Sequence, residues 1–106
     1  MYYKLIVANI QNVTQTHIHV APAGTNGPVV AWLYPEGPPA QLIPGRFNGV
    51  LAEGFIKADD LVGPLANEDS LEGLFVLMAL GETYVNVHTS QFPPGEVRGQ
   101  IHFQGR

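Results

Sequence analysis

TYVNVHTSQFPPGEVRGQIHF, residues 83–103, is the stretch that decides the fold class. Val85 and Val87 alternate with Tyr84, Asn86 and His88, and past the break Val97, Ile101 and Phe103 alternate with Arg98, Gln100 and His102. A period of two is the mark of a strand with one face on a core. The connection SQFPPG, rich in turn formers, makes the pair a terminal antiparallel hairpin.

Working outward from that hairpin, the same reading applies to most of the chain, which twelve glycines and nine prolines cut into short pieces. YYKLIVANI (2–10) is dense in β formers, HIHV (17–20) alternates, and PVVAWLY (28–34) is a short apolar run ended by PEGPP. These read as the first three strands. GRFNGVLAEGFIK (45–57) is broken by glycines and only loosely alternating, which predicts a bent or bulged strand. One segment breaks the pattern: EDSLEGLFVLMALGE (68–82) sets acidic groups and Ser70 before an apolar stretch and Gly81 behind it, which predicts a short helix near residues 69–80. ADDLVGPL (58–65) predicts a single helical turn, capped by Asp59 or Asp60 and stopped by Pro64. Trp32 and Phe75 are expected in the core, and Tyr84 at a partly exposed position.

Length and composition narrow the functions. At 106 residues the chain suits one domain. With 45% apolar and 13% charged residues it can form a packed core. A net charge of −4 and five scattered cations (Lys4, Arg46, Lys57, Arg98 and Arg106) supply no basic patch, so nucleic acid is excluded as a partner. The absence of cysteine excludes disulfides and thiolate metal sites. No apolar run reaches the roughly 20 residues of a membrane span, and MYYKLIVANI lacks the zones of a signal peptide. No nucleophile triad or phosphate loop stands out.

The histidines are the chemistry-bearing residues. Alternation sends Ile18, Val20, Val85, Val87, Val97 and Ile101 to the core, and so His17, His19, His88 and His102 to the polar face. His17 and His19 stand two residues apart on one face, about 6.6 Å between Cα atoms, close enough for both rings to reach one ion. A third imidazole would complete a surface site for copper or zinc, with His88 the first choice and His102 the second. The plain alternative is that these are solvated or hydrogen-bonded polar side chains. Glu96 and Arg98, two apart on one face, are expected to pair with each other or with Gln100.

THIHVAPAGTNGPVVAWL, ADDLVGPL and YVNVHTSQFPPGEVRGQI resemble, in order, the signature blocks of the CHRD domain family. His17, His19, Asn26, Gly27, Pro28, Asp60, Leu61, Gly63, Pro64, Tyr84, Asn86, His88, Glu96, Arg98 and Gly99 fall on its characteristic positions. The resemblance implies a β-sandwich or barrel-like domain, usually exported, hence an extracellular or cell-envelope setting and an extracellular protein partner. It also implies that residues 1–106 form a single CHRD-like domain lacking the family's usual first strand, so that either an exposed edge invites a homodimer, the favoured outcome, or the fold closes without that strand. A looser likeness joins His17, His19, His88 and Arg98 to the order of the copper site in copper/zinc superoxide dismutase, a Greek-key barrel. That family's zinc subsite and disulfide have no counterpart here.

Together these readings predict an antiparallel, Greek-key-like β-sandwich or barrel with one short helix. They rank the functions as follows: a non-catalytic binding module with a histidine site for copper or zinc, with Asn86, Glu96 and Arg98 as supporting residues; a copper-dependent dismutase-like redox enzyme; and a metal-free structural or interaction module.

Overall fold

The computed structural model describes residues 1–101, so the His102 candidate lies outside the described residues. The elements are β1 (Tyr2–Val20), β2 (Val29–Tyr34), β3 (Ile43–Phe55), α1 (Glu72–Ala79), β4 (Thr83–Thr89) and β5 (Val97–Gln100), with 3-10 turns at Ala58–Asp60 and Gly63–Leu65 between β3 and α1. The expected mainly β class holds.

YYKLIVANI and HIHV are not two strands but the two ends of β1, 19 residues long. The sequence suggested a break because Asn9, Gln11 and Asn12 interrupt the alternation. The chain instead passes through with Asn9 and Asn12 at φ +59° and +58°, a left-handed conformation that asparagine tolerates better than most residues. The β1–β3 register shifts at both places, and such bulges bend and twist a strand without ending it. Side-chain amides fix the bends: Asn48 Oδ1 accepts from the Asn9 N–H at 2.8 Å, and Asn12 Oδ1 from the Gly45 N–H at 2.9 Å.

All pairings are antiparallel. The first half of β1 pairs with β3, while the second half lies between β2 and β4, and β5 pairs with β4 in the expected terminal hairpin. β4 thus returns to lie beside β1, as in a Greek key, but β3 pairs with the far half of β1 rather than with β2. The bent β1–β3 ribbon packs its inner face over the rest of the sheet, an arrangement consistent with a β-sandwich. Ile10, Val13 and Leu51 meet Val87 in one cluster. Ile18, Val30, Ala31, Leu33, Ile56, Leu61, Leu74 and Met78 form the other.

The helix lies within its expected bounds. Ser70 Oγ accepts from the Glu72 N–H at 3.3 Å, and Gly81, at φ +72°, terminates it. Only Leu74 and Met78 are buried on it, so Phe75 is not core but 45% exposed. Trp32 is half-buried. ADDLVGPL forms two turns rather than one. Asp60 ends the first turn and accepts from the Lys57 N–H at 2.8 Å, and Pro64 sits at the start of the second instead of stopping the first, where its missing N–H costs nothing. Val97, expected in the core, is 52% exposed because β5 is an edge strand.

Candidate metal centre

His17, His19 and His88 converge. Their candidate ligand nitrogens all lie within 4.8 Å of one another, and the ring centroids of His17 stand 5.5 Å from His19 and 4.9 Å from His88. The antiparallel register causes this: His17 faces Asn86, and His19 faces Tyr84, so the outer faces of β1 and β4 merge into one polar row.

That row is not on the surface. His17, His19 and His88 are 4%, 7% and 9% exposed, and Tyr84 and Asn86 are buried with them. The expectation of a solvent-facing histidine site, and of a partly exposed Tyr84, is therefore corrected. Alternation tells which residues share a face, not what covers that face. Here the two turn-rich segments fold back over it. The APAGTNGP segment brings the Gly27 carbonyl to 2.9 Å from His19 Nδ1, and the SQFPPG segment brings the Pro93 carbonyl to 2.7 Å from His88 Nδ1. Two glycines permit the closure. A Cβ on Gly27 would collide with the Val20 carbonyl, and one on Gly95, at φ +127°, with the Asn86 amide.

These contacts fix the chemistry of the rings. A carbonyl accepts only, so Nδ1 of His19 and of His88 must carry the proton and donate it, leaving Nε2 with a free lone pair. Neither Nε2, nor either nitrogen of His17, has a hydrogen-bond partner among the described residues. A ring oriented by a backbone carbonyl through one nitrogen and presenting the other is the usual setting of a metal-ligating histidine.

Electrostatics favours the binding-competent neutral form. Burial, followed by the neighbouring His88 and His19, lowers the His17 pKa from 6.5 to about 4. Burial also lowers that of His19, opposed by the Gly27 carbonyl and assisted by His88 and Arg98.

The supporting residues divide. Asn86, facing His17 across the register, keeps its Oδ1 buried and unpartnered. Glu96 does not pair with Arg98: it accepts from Thr89 Oγ1 at 2.8 Å and Gln91 Nε2 at 3.0 Å, tying down the segment that delivers Pro93 to His88. Arg98 lies 3.5 Å over the Tyr84 ring, which is stacked on His19 with 4.8 Å between centroids. Two flat groups at these distances cannot share one face, so Tyr84 separates Arg98 from the histidines. Arg98 also donates to the Pro22 carbonyl at 3.1 Å and to Gln100 Oε1 at 3.4 Å.

Sequence reasoning did not find Trp32, whose ring centroid is 4.3 Å from that of His17, nor the two carbonyls. Trp32 was discoverable only through its cross-strand pairing with His17, and a backbone carbonyl leaves no trace in residue identity.

No curated protein and no solved structure matches the chain. The CHRD domain model matches residues 1–101, a span that takes in all five strands, the helix and the three clustered histidines. The chain belongs to the CHRD domain family.

Proposed function

We propose that this chain is a non-catalytic binding module of the CHRD type that holds one copper or zinc ion on His17, His19 and His88. The observation that carries the reading is the set of three buried imidazoles sharing one site with unpartnered nitrogens. Each unsatisfied buried polar atom costs about 1–3 kcal/mol, and one cation would take one nitrogen from each ring, three of the four left unpartnered. Four ligands about 2.0–2.1 Å from a tetrahedral ion stand about 3.4 Å apart, so binding would draw the rings inward.

The dismutase-like alternative ranks below this reading because Arg98, which it would need to attract an anion, is engaged by Tyr84 and Pro22. The metal-free structural reading ranks below it because it leaves the ring nitrogens unsatisfied. The family resemblance supports an extracellular or cell-envelope setting with a protein partner. A homodimer is supported by the β1 edge over Tyr2–Asn12 opposite β3, which has no strand beside it among the described residues.

Calorimetric titration with zinc(II) and copper(II) tests the site. One ion per chain is expected, with affinity falling about a hundredfold or more in His19→Ala while circular dichroism shows the fold retained. Binding that is absent, or that survives the substitution, would sink the proposal in favour of the metal-free module. A dismutase rate on copper-loaded protein above that of free copper would overturn the non-catalytic part alone.

A further inference from the structure

Trp32, whose ring stands against His17, also lines a cavity of about 300 Å³ together with Tyr3, Glu36, Asp60, Ile56 and Lys57. Its size falls at the lower end of small-ligand pockets. Its rings come from two strands, Tyr3 from β1 and Trp32 from β2, while the Phe55 ring packs edge-on against Tyr2 on the ribbon's other face and only its residue borders the rim. Tyr3 is held in place, its hydroxyl donating to the Leu33 carbonyl at 2.9 Å.

The charges around these rings are unbalanced. Glu36, Glu53 and Asp60 contribute three negative charges against one positive from Lys57. Asp60 uses its carboxylate on the Lys57 backbone N–H and Glu53 accepts from the Tyr2 hydroxyl. Burial, then Glu36 and Asp60, push the Tyr3 phenol up from its ordinary pKa. Aromatic faces and carboxylates are both attractive to a cation with an apolar body, and neither suits an anion.

We propose that this cavity binds an alkylammonium group, seated against Trp32 and Tyr3 and neutralised by Glu36 with Asp60. The group is either a small free amine or a lysine side chain displayed by a partner protein. The proposal is independent of the metal reading, and the test is run with chelator present so that the two fail separately.

Trp32 is the single tryptophan of the chain, so its fluorescence reports the cavity directly. Choline is the first probe, with its uncharged isostere 3,3-dimethylbutanol as the control and calorimetry as a second readout. A saturable response to choline, absent with the isostere, is expected. Glu36→Gln should weaken it roughly two- to fivefold, the scale of one partly exposed charge pair, and added salt should weaken it further. Glu36 is exposed, so this variant keeps the fold. Glu72→Gln, which removes the same charge from α1, should change nothing. Comparison of spermidine with a lysine-bearing peptide then identifies the source of the amine, tighter binding of either supporting the site. No saturable binding in either readout, an equal response to the isostere, or equal weakening by Glu72→Gln would each overturn the proposal.

Discussion

Acid titration of His17 couples the histidine cluster to folding. Its folded pKa of about 4 lies below the unfolded value of 6.5, so between those values the unfolded chain binds the extra proton. Stability is therefore at its full value above pH 6.5 and is lost as pH falls toward 4. In chelator, the urea midpoint should drop across that window, and His17→Leu should flatten the drop. An unchanged slope in the variant would assign the acid sensitivity elsewhere. Gly27 acts at the same scale. In Gly27→Ala the new methyl meets the Val20 carbonyl, so the segment that presents the Gly27 carbonyl to His19 must shift. A loss on the order of 2–3 kcal/mol by urea denaturation is expected, together with about tenfold weaker metal uptake. The pairing of His17 with His19 on one face was legible from their spacing, and His88 from its own strand's alternation. Burial was not, because it depends on residues 21–28 and 90–96 folding back, which no local pattern encodes.

Among the elements, α1 separates propensity from packing. Its limits were readable from Ser70 and Gly81, but its apolar residues run around the whole helix, so periodicity did not say which side would be buried. Leu74 is fully enclosed, while Phe75 and Val76 are 45% and 51% exposed. Leu74→Ala should therefore cost about 2–5 kcal/mol, and Phe75→Ser, which removes a ring only partly covered, about 1 kcal/mol, as read by chemical denaturation of each variant. A large loss from Phe75→Ser would mean that a partner or a second copy covers that face in solution. β1 makes the complementary case. YYKLIVANI and HIHV read as two strands, yet two left-handed asparagines, Asn9 and Asn12, carry one strand through its bends. A bulge and a turn draw on the same residue types, and only the partner strand β3 distinguishes them.

At the scale of the whole molecule, the outer face of the β1–β3 ribbon, which flanks the open β1 edge, offers a further surface for self-association. Cross-strand pairs Tyr2–Phe55 and Ile6–Val50 are exposed on it, with Lys4 opposite Glu53 between them. A two-fold axis through that face would set each Lys4 against the other copy's Glu53, the self-complementarity that an isologous dimer needs. Sedimentation should show a concentration-dependent dimer that becomes monomeric in Ile6→Lys with Val50→Lys. A monomer at every concentration would remove the dimer from the account. Metal acts on the whole fold as well. At a free concentration a hundredfold above Kd, an ion that binds only the folded chain adds about 2.7 kcal/mol. The melting temperature should rise accordingly in the parent protein and stay fixed in His88→Ala.

The sequence by itself determined the strand-rich class, the terminal hairpin, the helix between residues 69 and 80 and the shared face of His17 and His19. Each of these is a matter of period, capping or turn chemistry within a few residues. Only the tertiary structure decided that HIHV belongs to the same strand as YYKLIVANI, that the polar face is buried and that Arg98 is separated from the histidines by Tyr84. It also decided that Tyr3 and Trp32, from two different strands, line one acidic cavity. Those outcomes rest on contacts between residues far apart in the chain, whose energies exist only once the strands are in register and the loops have closed.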